Sequence, residues 1–462
     1  MSHKNLKTWA FFSISSFICT IYLILIDYGM EAYKAIYALP LVFLGCSIVF
    51  ANVYNCIDKN IGVLILHILM FIRFVVTPFF MAQAGFASTF HSLTKDDIDY
   101  AILLLSYECI AIYIVLSILS AKHKGQYSRT EFQLHYSNPT TLFKTITLFM
   151  TIFCLMVWVL IPSCRELYST IFEIGDVDFT TVDYSASDEA VGSLSRSFQT
   201  LFKMFFDILR LVVPMYLLVK LKIQRYKHST GMFVGLLFAA VQMLFISSTT
   251  ARSVICAFLI IYFISRLYQQ YARKIIRIAM VVSVGLVITY FVVRFFVGSR
   301  YGENAMEYLS RLLTAYFGGL DNVAAGANIP RGYESSTFFA SLYSAIPFNS
   351  TLFGLKVEKL QSIYNEANAS YGQIPPMIVE GEYYFGFWFS PIMSCLCAIG
   401  SYYFGAKYTS TNSPWHLISN LFIAIMFAIA IVIYNEEIFL VWLLEWLVPI
   451  KILSYIAEVE RK

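Results

Sequence analysis

Residues 415–455 read WHLISNLFIAIMFAIAIVIYNEEIFLVWLLEWLVPIKILSY. Two apolar runs, 415–434 and 437–455, meet there at a short polar turn of one asparagine and two glutamates. Each run has about the twenty residues that an α-helix needs to cross the hydrocarbon core of a bilayer. Because lipid offers the backbone no hydrogen bonds, an apolar run of this length folds as a helix. The stretch therefore predicts two membrane-spanning helices joined by a tight turn.

The same pattern recurs along the chain and predicts about twelve membrane-spanning helices. They lie near residues 9–27, 35–57, 61–82, 98–120, 142–161, 198–220, 231–249, 252–267, 275–297, 383–405, 415–434 and 437–455. The 462 residues are 58% hydrophobic and 13% charged, about half the charged share of soluble domains. The predicted fold class is an all-α polytopic membrane protein, with residues 1–462 forming a single integral membrane domain. The net charge of +4 is too small to indicate nucleic-acid binding.

Lysines and arginines are concentrated in alternate gaps between these spans. The basic gaps contain Lys122, Lys124 and Arg129, then Lys220, Lys222, Arg225 and Lys227, then Arg266, Arg273, Lys274 and Arg277. Cytoplasmic loops of membrane proteins carry an excess of these residues. Both termini are therefore predicted to be cytoplasmic, and the loops 162–197 and 298–382 to be external.

The loop 298–382 is charged, but two stretches within it show helical apolar spacing. The stretches are Met306, Leu309, Leu312, Leu313, Tyr316 and Phe317, and then Leu355, Val357, Leu360 and Ile363. This spacing predicts amphipathic helices that lie on the membrane surface. A long loop with structure of its own is often functional, so we interpret 298–382 as the candidate catalytic segment. The alternative is a solvated connector without chemistry.

Charged residues inside predicted spans are costly and are usually paired or functional. Arg73 and Glu108 lie in the middle of adjacent spans, which predicts a buried ion pair with a structural role. His67 is interpreted as a hydrogen-bonded core residue. The alternative for Arg73 and Glu108 is a role in substrate handling, and the alternative for His67 is a proton relay.

The sixth span carries Lys203, Asp207 and Arg210 at positions i, i+4 and i+7, so the three side chains share one helix face. Such a face avoids lipid and lines either protein or a water-filled cavity. A substrate-binding lining and a structural salt-bridge stripe both explain it.

Three arginines lie at predicted external helix ends: Arg252, Arg294 and Arg300. A guanidinium group can bind phosphate with two parallel hydrogen bonds, so their convergence would form an anion site. The alternative is that each extends separately to the membrane interface.

The chain has no Walker loop, dinucleotide fingerprint or zinc-protease helix. Two Asp-x-Asp triplets, 97–99 and 176–178, could hold a divalent cation, although acidic loops also produce such triplets by chance. Without a metal, arginines can stabilise the charge that develops on a pyrophosphate leaving group. A loop carboxylate can then act as the base for an attacking sugar hydroxyl. Tyr383 is one of several aromatic side chains that could contact the sugar.

Three stretches resemble the Wzy-type O-antigen and capsule repeat-unit polymerases. They are SSTTARS at 247–253, the arginine-bearing segment 294–335, and IPPMIVEGEYYFG at 374–386. In residues the resemblance covers about 245–256, 294–335 and 372–386, and in architecture it covers the whole chain. It implies an inverting, metal-independent glycosyltransferase with a GT-C-like helical core in the bacterial cytoplasmic (inner) membrane.

Such an enzyme would transfer a growing glycan from one undecaprenyl pyrophosphate carrier to the non-reducing end of a lipid-linked repeat unit. The resemblance matches Arg252 to the arginine after the small-residue turn, and Glu382 to the acid of the exit segment. It matches Arg300 and Arg311 to the arginines of the large loop. The expected catalytic residues are Glu382, Arg300 and Arg311, and the expected substrate-binding residues are Arg252, Arg294, Arg210, Lys203, Arg331 and Tyr383. No cofactor or metal is expected, and a chain-length regulator is a candidate partner.

Other functions remain open at this point. The related O-antigen ligases use an external histidine as base, but the 298–382 loop has none, and His91 is the only histidine that we place outside. This difference favours a polymerase over a ligase and leaves the identity of the base open. A glycosyltransferase that uses polyprenyl-phosphate sugars would give the Asp-x-Asp triplets a role. A lipid-linked oligosaccharide flippase or another transporter is the alternative of a different class.

Overall fold

The structure is a computed structural model of the chain. It describes residues 3–26, 31–57, 59–86, 93–122, 134–161, 193–242, 250–272, 304–347, 359–370 and 372–458, with 88, 90, 164, 274, 275, 277, 278 and 281. All of the regular structure in these residues is helical, and they contain no strand. The predicted all-α class is therefore confirmed for the part of the chain that the structure describes.

The helices are numbered in chain order. They are α1 (His3–Leu25), α2 (Ala38–Val49), α3 (Ile61–Gln83), α4 (Lys95–Lys122), α5 (Thr141–Leu160), α6 (Ser193–Ile223), α7 (His228–Gln242), α8 (Thr250–Leu267), α9 (Ala305–Tyr316), α10 (Leu320–Ala324), α11 (Glu334–Ser344), α12 (Leu360–Ala367), α13 (Met377–Phe385), α14 (Ile392–Ser410), α15 (Pro414–Ile433) and α16 (Glu436–Ile456).

Eight helices in the described residues are long and apolar enough to cross a membrane, as a polytopic membrane protein requires. They are α1, α2 with the turn before it, α3, α4, α5, α14 with the turn before it, α15 and α16. Helices α6, α7 and α8 coincide with the sixth to eighth predicted spans. The ninth predicted span, 275–297, lies almost entirely outside the described residues. The total of twelve spans stays a prediction.

The centre of the bundle is α15. In its most apolar window 78% of the residues are buried, against 22% in α5, so α15 is an inner helix and α5 a peripheral one. Helix α15 packs along α14 and α3. Its contact with α14 is close because Gly400 has no side chain, and a Cβ there would lie 2.5 Å from Cδ1 of Phe427.

The predicted second span, 35–57, is wrong at its carboxyl end. Helix α2 ends at Val49, and a 3₁₀ turn over Ala51–Val53 follows. Asn52 explains the break, because its amide donates to the carbonyl of Ser117 at 2.9 Å and accepts from the Ser117 hydroxyl at 3.0 Å. Hydropathy shows how long an apolar run is, but it does not show that one polar side chain within the run bonds to another helix.

The large loop folds back into the bundle. Helix α9 confirms the predicted helix around residues 306–317 and packs against the end of α3. Its position on the membrane surface stays a prediction. After α9 the chain turns at Gly318, whose φ of +52° favours glycine, and residues 318–326 are all buried. We call 318–326 the inserted segment, and we call the end of the bundle that receives it the loop end.

Candidate functional site

Two of the buried charges at the loop end form the predicted ion pair. Arg73 Nη1 lies 2.8 Å from Glu108 Oε2, and both side chains are buried. Arg73 Nε also donates to the carbonyl of Gly318 at 2.9 Å, and Ser394 donates to the other oxygen of Glu108. The pair is confirmed, and it has a function that the sequence did not show. It attaches the inserted segment to α3 and α4.

Arg73 lies in a turn of π-helix over Ile72–Val76 within α3. A second π turn in the described residues, Leu443–Leu447 of α16, contains Glu445. Such turns are rare and occur often at functional sites. His67, one turn before the first of them, hydrogen-bonds to the hydroxyls of Tyr54 at 3.0 Å and Tyr113 at 2.6 Å. This arrangement confirms the interpretation of His67 as a hydrogen-bonded core residue.

Three of the expected substrate-binding residues, Lys203, Arg210 and Arg252, meet between α6 and α8. With Asp207 and Glu445 we call them the arginine cluster. Asp207 pairs with Arg252 through one carboxylate oxygen and with Arg210 through the other, at 3.4 Å. Lys203 and Arg252 also interact electrostatically with Glu445 of α16. The cluster has three cations and two carboxylates, a net charge of +1.

Within the arginine cluster, Arg210 and Arg252 have different surroundings. Arg210 is buried and donates to Gln242 at 2.7 Å and to Ser253 at 2.5 Å, so it joins α6 to α7 and α8. The Arg252 side chain is 13% exposed. The structural network predicted for the charged face of α6 is therefore present at Asp207 and Arg210, whereas a role of that face in substrate binding stays a prediction.

An aromatic wall lies beside the arginine cluster. The Arg252 guanidinium lies 5.0 Å from the centre of the Trp442 ring, and Trp446 Nε1 donates to the backbone carbonyl of Asp207 at 3.1 Å. The Tyr434 ring packs on Trp442 at 4.7 Å. These contacts connect Arg252 to the turn between α15 and α16.

That turn and α13 bury three carboxylates that we call the turn cluster: Glu380, Glu436 and Glu437. The Glu436 amide donates to Glu380, and Glu437 pairs with Lys359 and accepts from the Ser344 hydroxyl at 2.9 Å. Burial raises the pKa of Glu380 well above its usual range. The sequence assigned no role to these groups. In the sequence they are three acids next to strongly apolar stretches, which is an unusual place for a charge. The hydrogen bond between Glu380 and Glu436 joins segments more than fifty residues apart, so the sequence pattern did not reveal the cluster.

Glu382, the expected base, lies on α13 beside the turn cluster. It forms an ion pair with Arg331 and accepts from the Tyr100 hydroxyl at 3.2 Å, and its side chain is 13% exposed. Arg331 donates to the carbonyl of Tyr383 at 3.3 Å and lies 5.2 Å from the centre of the Tyr383 ring. The structure thus brings Arg331, Glu382 and Tyr383 together. The Tyr383 side chain is buried, and its hydroxyl donates to the carbonyl of Pro330 at 3.3 Å.

The other expected site residues lie elsewhere. Arg311 is half-buried near the middle of α9, whereas Arg294 and Arg300 lie outside the described residues. Asp97 is used at the start of α4, where it accepts from the Thr94 amide at 2.9 Å and from the Thr94 hydroxyl at 2.7 Å. These bonds close a capping arrangement at the helix terminus. The second Asp-x-Asp triplet lies outside the described residues.

Asp321 is a buried acid of the inserted segment that the sequence did not single out. It accepts from the Tyr33 hydroxyl at 3.0 Å and interacts with Ser88. Burial raises its pKa to about 6, from an ordinary value of 3.8. The acid is therefore held largely by hydroxyl groups, unlike Glu108 and Asp207, which are held by arginines.

The site is therefore built from the inserted segment, α13, the α15–α16 turn and the facing parts of α6 and α8. It contains a group of cations that contacts Trp442 and Trp446, and three buried carboxylates at the neighbouring turn. We compared the chain with protein-family models, with curated proteins and with solved structures, and none of them matches it.

Proposed function

We propose that the chain polymerises glycan repeat units carried on undecaprenyl pyrophosphate at the outer face of the bacterial cytoplasmic membrane. The observation that carries the proposal is the convergence of Lys203, Arg210 and Arg252, from two helices, beside Trp442 and Trp446. A cationic, partly accessible group against an aromatic wall suits an amphiphilic pyrophosphate. A GT-C-like core belongs to the proposal as well.

In the proposed reaction, the bond between the anomeric carbon and the pyrophosphate oxygen breaks. The hydroxyl of the acceptor repeat unit attacks that carbon from the opposite face and loses its proton to a base. The leaving undecaprenyl pyrophosphate gains negative charge in the transition state. Arg252 would stabilise that charge most directly, because it is the more accessible arginine of the cluster.

We assign the base to Glu382. Its ion pair with Arg331 and the hydrogen bond from Tyr100 hold the carboxylate in one orientation, and Glu382 lies two residues along α13 from Glu380 of the turn cluster. Arg331 then acts on Glu382 and is a positioning residue. From the sequence it was expected to bind substrate directly, whereas its direct bond to Glu382 favours an effect through that carboxylate.

The test uses purified protein in nanodiscs with lipid-linked saccharide extracted from cells in which the gene for this chain is deleted. Wild-type protein is expected to convert single units into a ladder of longer glycans, and to do so in excess chelator. Arg252→Gln should lower the rate by about 10² to 10³. Arg252→Lys should restore only part of it, since lysine keeps the charge but lacks the two-pronged donor.

The matched control is Arg277→Gln, which removes an exposed arginine that is not part of the arginine cluster. A normal ladder from well-folded Arg252→Gln protein would refute the site. Activity that chelator removes and Mg²⁺ restores would favour the metal-using glycosyltransferase. Movement of labelled lipid-linked glycan across the bilayer with no ladder would favour the transporter.

A further inference from the structure

A pocket of about 420 Å³ lies at the other end of α8 from the arginine cluster. Arg252 and Arg266 are fourteen residues apart on α8, which corresponds to about 21 Å along the helix axis. The pocket is lined by Leu134, Tyr136, Lys222, His228, Arg266, Leu267, Tyr268, Gln269 and Gln270. Its volume lies in the range of ordinary small-molecule sites.

The charges of this pocket have one sign. Lys222 and Arg266 are cations, and none of the described residues that line the pocket is acidic. Basic pockets between helices at a membrane face are the usual binding places of anionic lipid headgroups. The loop end differs, since Asp207 pairs with both arginines there.

Tyrosines hold the lysine in place. The Lys222 ammonium lies 4.7 Å from the centre of the Tyr268 ring and 5.8 Å from that of Tyr136. The Tyr268 hydroxyl packs against Gly231 of α7, where any side chain would collide with it. An ammonium group over aromatic faces keeps its hydrogen-bond donors for a further partner.

Arg266 provides an independent observation. Its guanidinium carbon lies 5.4 Å from the centre of the Tyr408 ring, and its Nε is buried with no hydrogen-bond partner among the described residues. A buried donor left without an acceptor is energetically unfavourable. A bound oxygen anion would remove that cost.

We propose that this pocket binds a phosphate-bearing anion, either the headgroup of an anionic phospholipid or a small soluble phosphate ester. The phosphate would lie between Lys222 and Arg266, the two cations without an acidic neighbour in the lining. The Gln269 and Gln270 amides supply donors and acceptors for hydroxyls of the ligand, and Leu134 and Leu267 supply apolar contact. The site lies at the opposite end of α8 from the proposed pyrophosphate site and does not depend on it.

The experiment measures lipid binding to the full-length protein by native mass spectrometry after reconstitution in nanodiscs. One set of nanodiscs contains phosphatidylcholine alone, and the other contains phosphatidylcholine with phosphatidylglycerol. A parallel arm titrates detergent-purified protein with inorganic phosphate and with glycerol 3-phosphate and follows the thermal melt. The variants are Lys222→Gln, Arg266→Gln and the double variant. The control is Lys220→Gln, which removes the same charge from an exposed site on the same helix.

Each cation removed is expected to weaken binding about fivefold, and Lys220→Gln is expected to change it less than twofold. Selective retention of phosphatidylglycerol identifies a lipid headgroup site, and stabilisation by the soluble phosphates alone identifies a solute site. If Arg266→Gln fails to fold, Lys222→Gln still decides the question, because Lys222 is half-exposed. Equal effects of Lys220→Gln and Lys222→Gln would overturn the proposal, and so would the absence of both a preference for phosphatidylglycerol and a stabilisation by the soluble phosphates.

Discussion

The two ends of the helix bundle hold their cations differently. At the loop end Arg73 pairs with Glu108, Arg252 with Asp207, and Lys359 with Glu437. At the other end, Lys222 and Arg266 pack over tyrosine rings, and the described lining of their pocket has no acid. A paired charge fixes one segment of the chain to another. A charge over an aromatic ring is held in place but can still bind an anion.

The difference also separates stability from binding. Removing one partner of a buried ion pair leaves an uncompensated charge, which is strongly destabilising. Removing a cation from an aromatic ring leaves no such charge. The loop end should therefore respond to substitution mainly in folding, except at the accessible Arg252 and Glu382, and the opposite end mainly in ligand affinity.

The largest effect is expected for Glu108→Ala. It leaves Arg73 charged and buried, and the carbonyl of Gly318 alone does not neutralise it, so the loss should be about 3–5 kcal/mol. The measurement is the yield and thermal melt of detergent-purified protein. Replacing Arg73 by Met and Glu108 by Leu together should recover most of the loss, because it removes both charges.

The control for that prediction is Glu31→Gln. Glu31 pairs with Lys34 at 2.8 Å, but both side chains are largely exposed, so this change should have almost no effect. Similar losses for Glu108→Ala and Glu31→Gln would show that burial does not separate the two kinds of pair.

The next effect is the pH dependence of Asp321, a loop-end acid held largely by hydroxyls. Because burial raises its pKa to about 6, Asp321 is mainly neutral in the native protein below pH 6 and mainly ionised above it. The neutral Asp321 side chain therefore stabilises the folded state fully below pH 4. This contribution to the free energy of unfolding, about 3 kcal/mol at most, is lost as the pH rises through about 6. Asp321→Asn keeps an acceptor for Tyr33 and should remove this part of the pH profile. The check is the difference between the melts of the two proteins from pH 4 to 7. Parallel profiles would contradict the prediction.

The sequence predicts the parts of this architecture that depend on local pattern. Apolar run length located the eight described helices that are long enough to cross a membrane, and the depth of Arg73 and Glu108 in adjacent spans predicted their pair. The helix around 306–317 followed from its period. The contacts that build the site could not be predicted, because they join distant segments: Glu380 to the α15–α16 turn, Gly318 to Arg73, and Arg331 to Glu382. Lys222 was interpreted only as a signal of orientation, since its ring partners Tyr136 and Tyr268 lie far away in the sequence.

A smaller effect is expected for Arg331→Gln. If Arg331 positions Glu382, its loss should lower kcat of the proposed polymerisation about tenfold and leave KM nearly unchanged. Arg331→Lys should recover part of kcat, because it keeps the charge beside the carboxylate. Glu382→Gln should abolish turnover and leave binding of the lipid-linked substrate intact. A large rise in KM for Arg331→Gln would instead return Arg331 to direct substrate binding.

The smallest effect on stability is expected for Lys222→Met. The ammonium over Tyr268 and Tyr136 contributes about 0.5–1 kcal/mol at a partly exposed position. Methionine keeps much of the apolar stem, and no carboxylate in the described lining loses a partner. The melt of Lys222→Met should therefore lie within a few degrees of wild type, close to that of the exposed control Lys220→Met. A loss as large as that of Glu108→Ala would show that Lys222 supports the fold, and the two ends of the bundle would then hold their cations for the same reason.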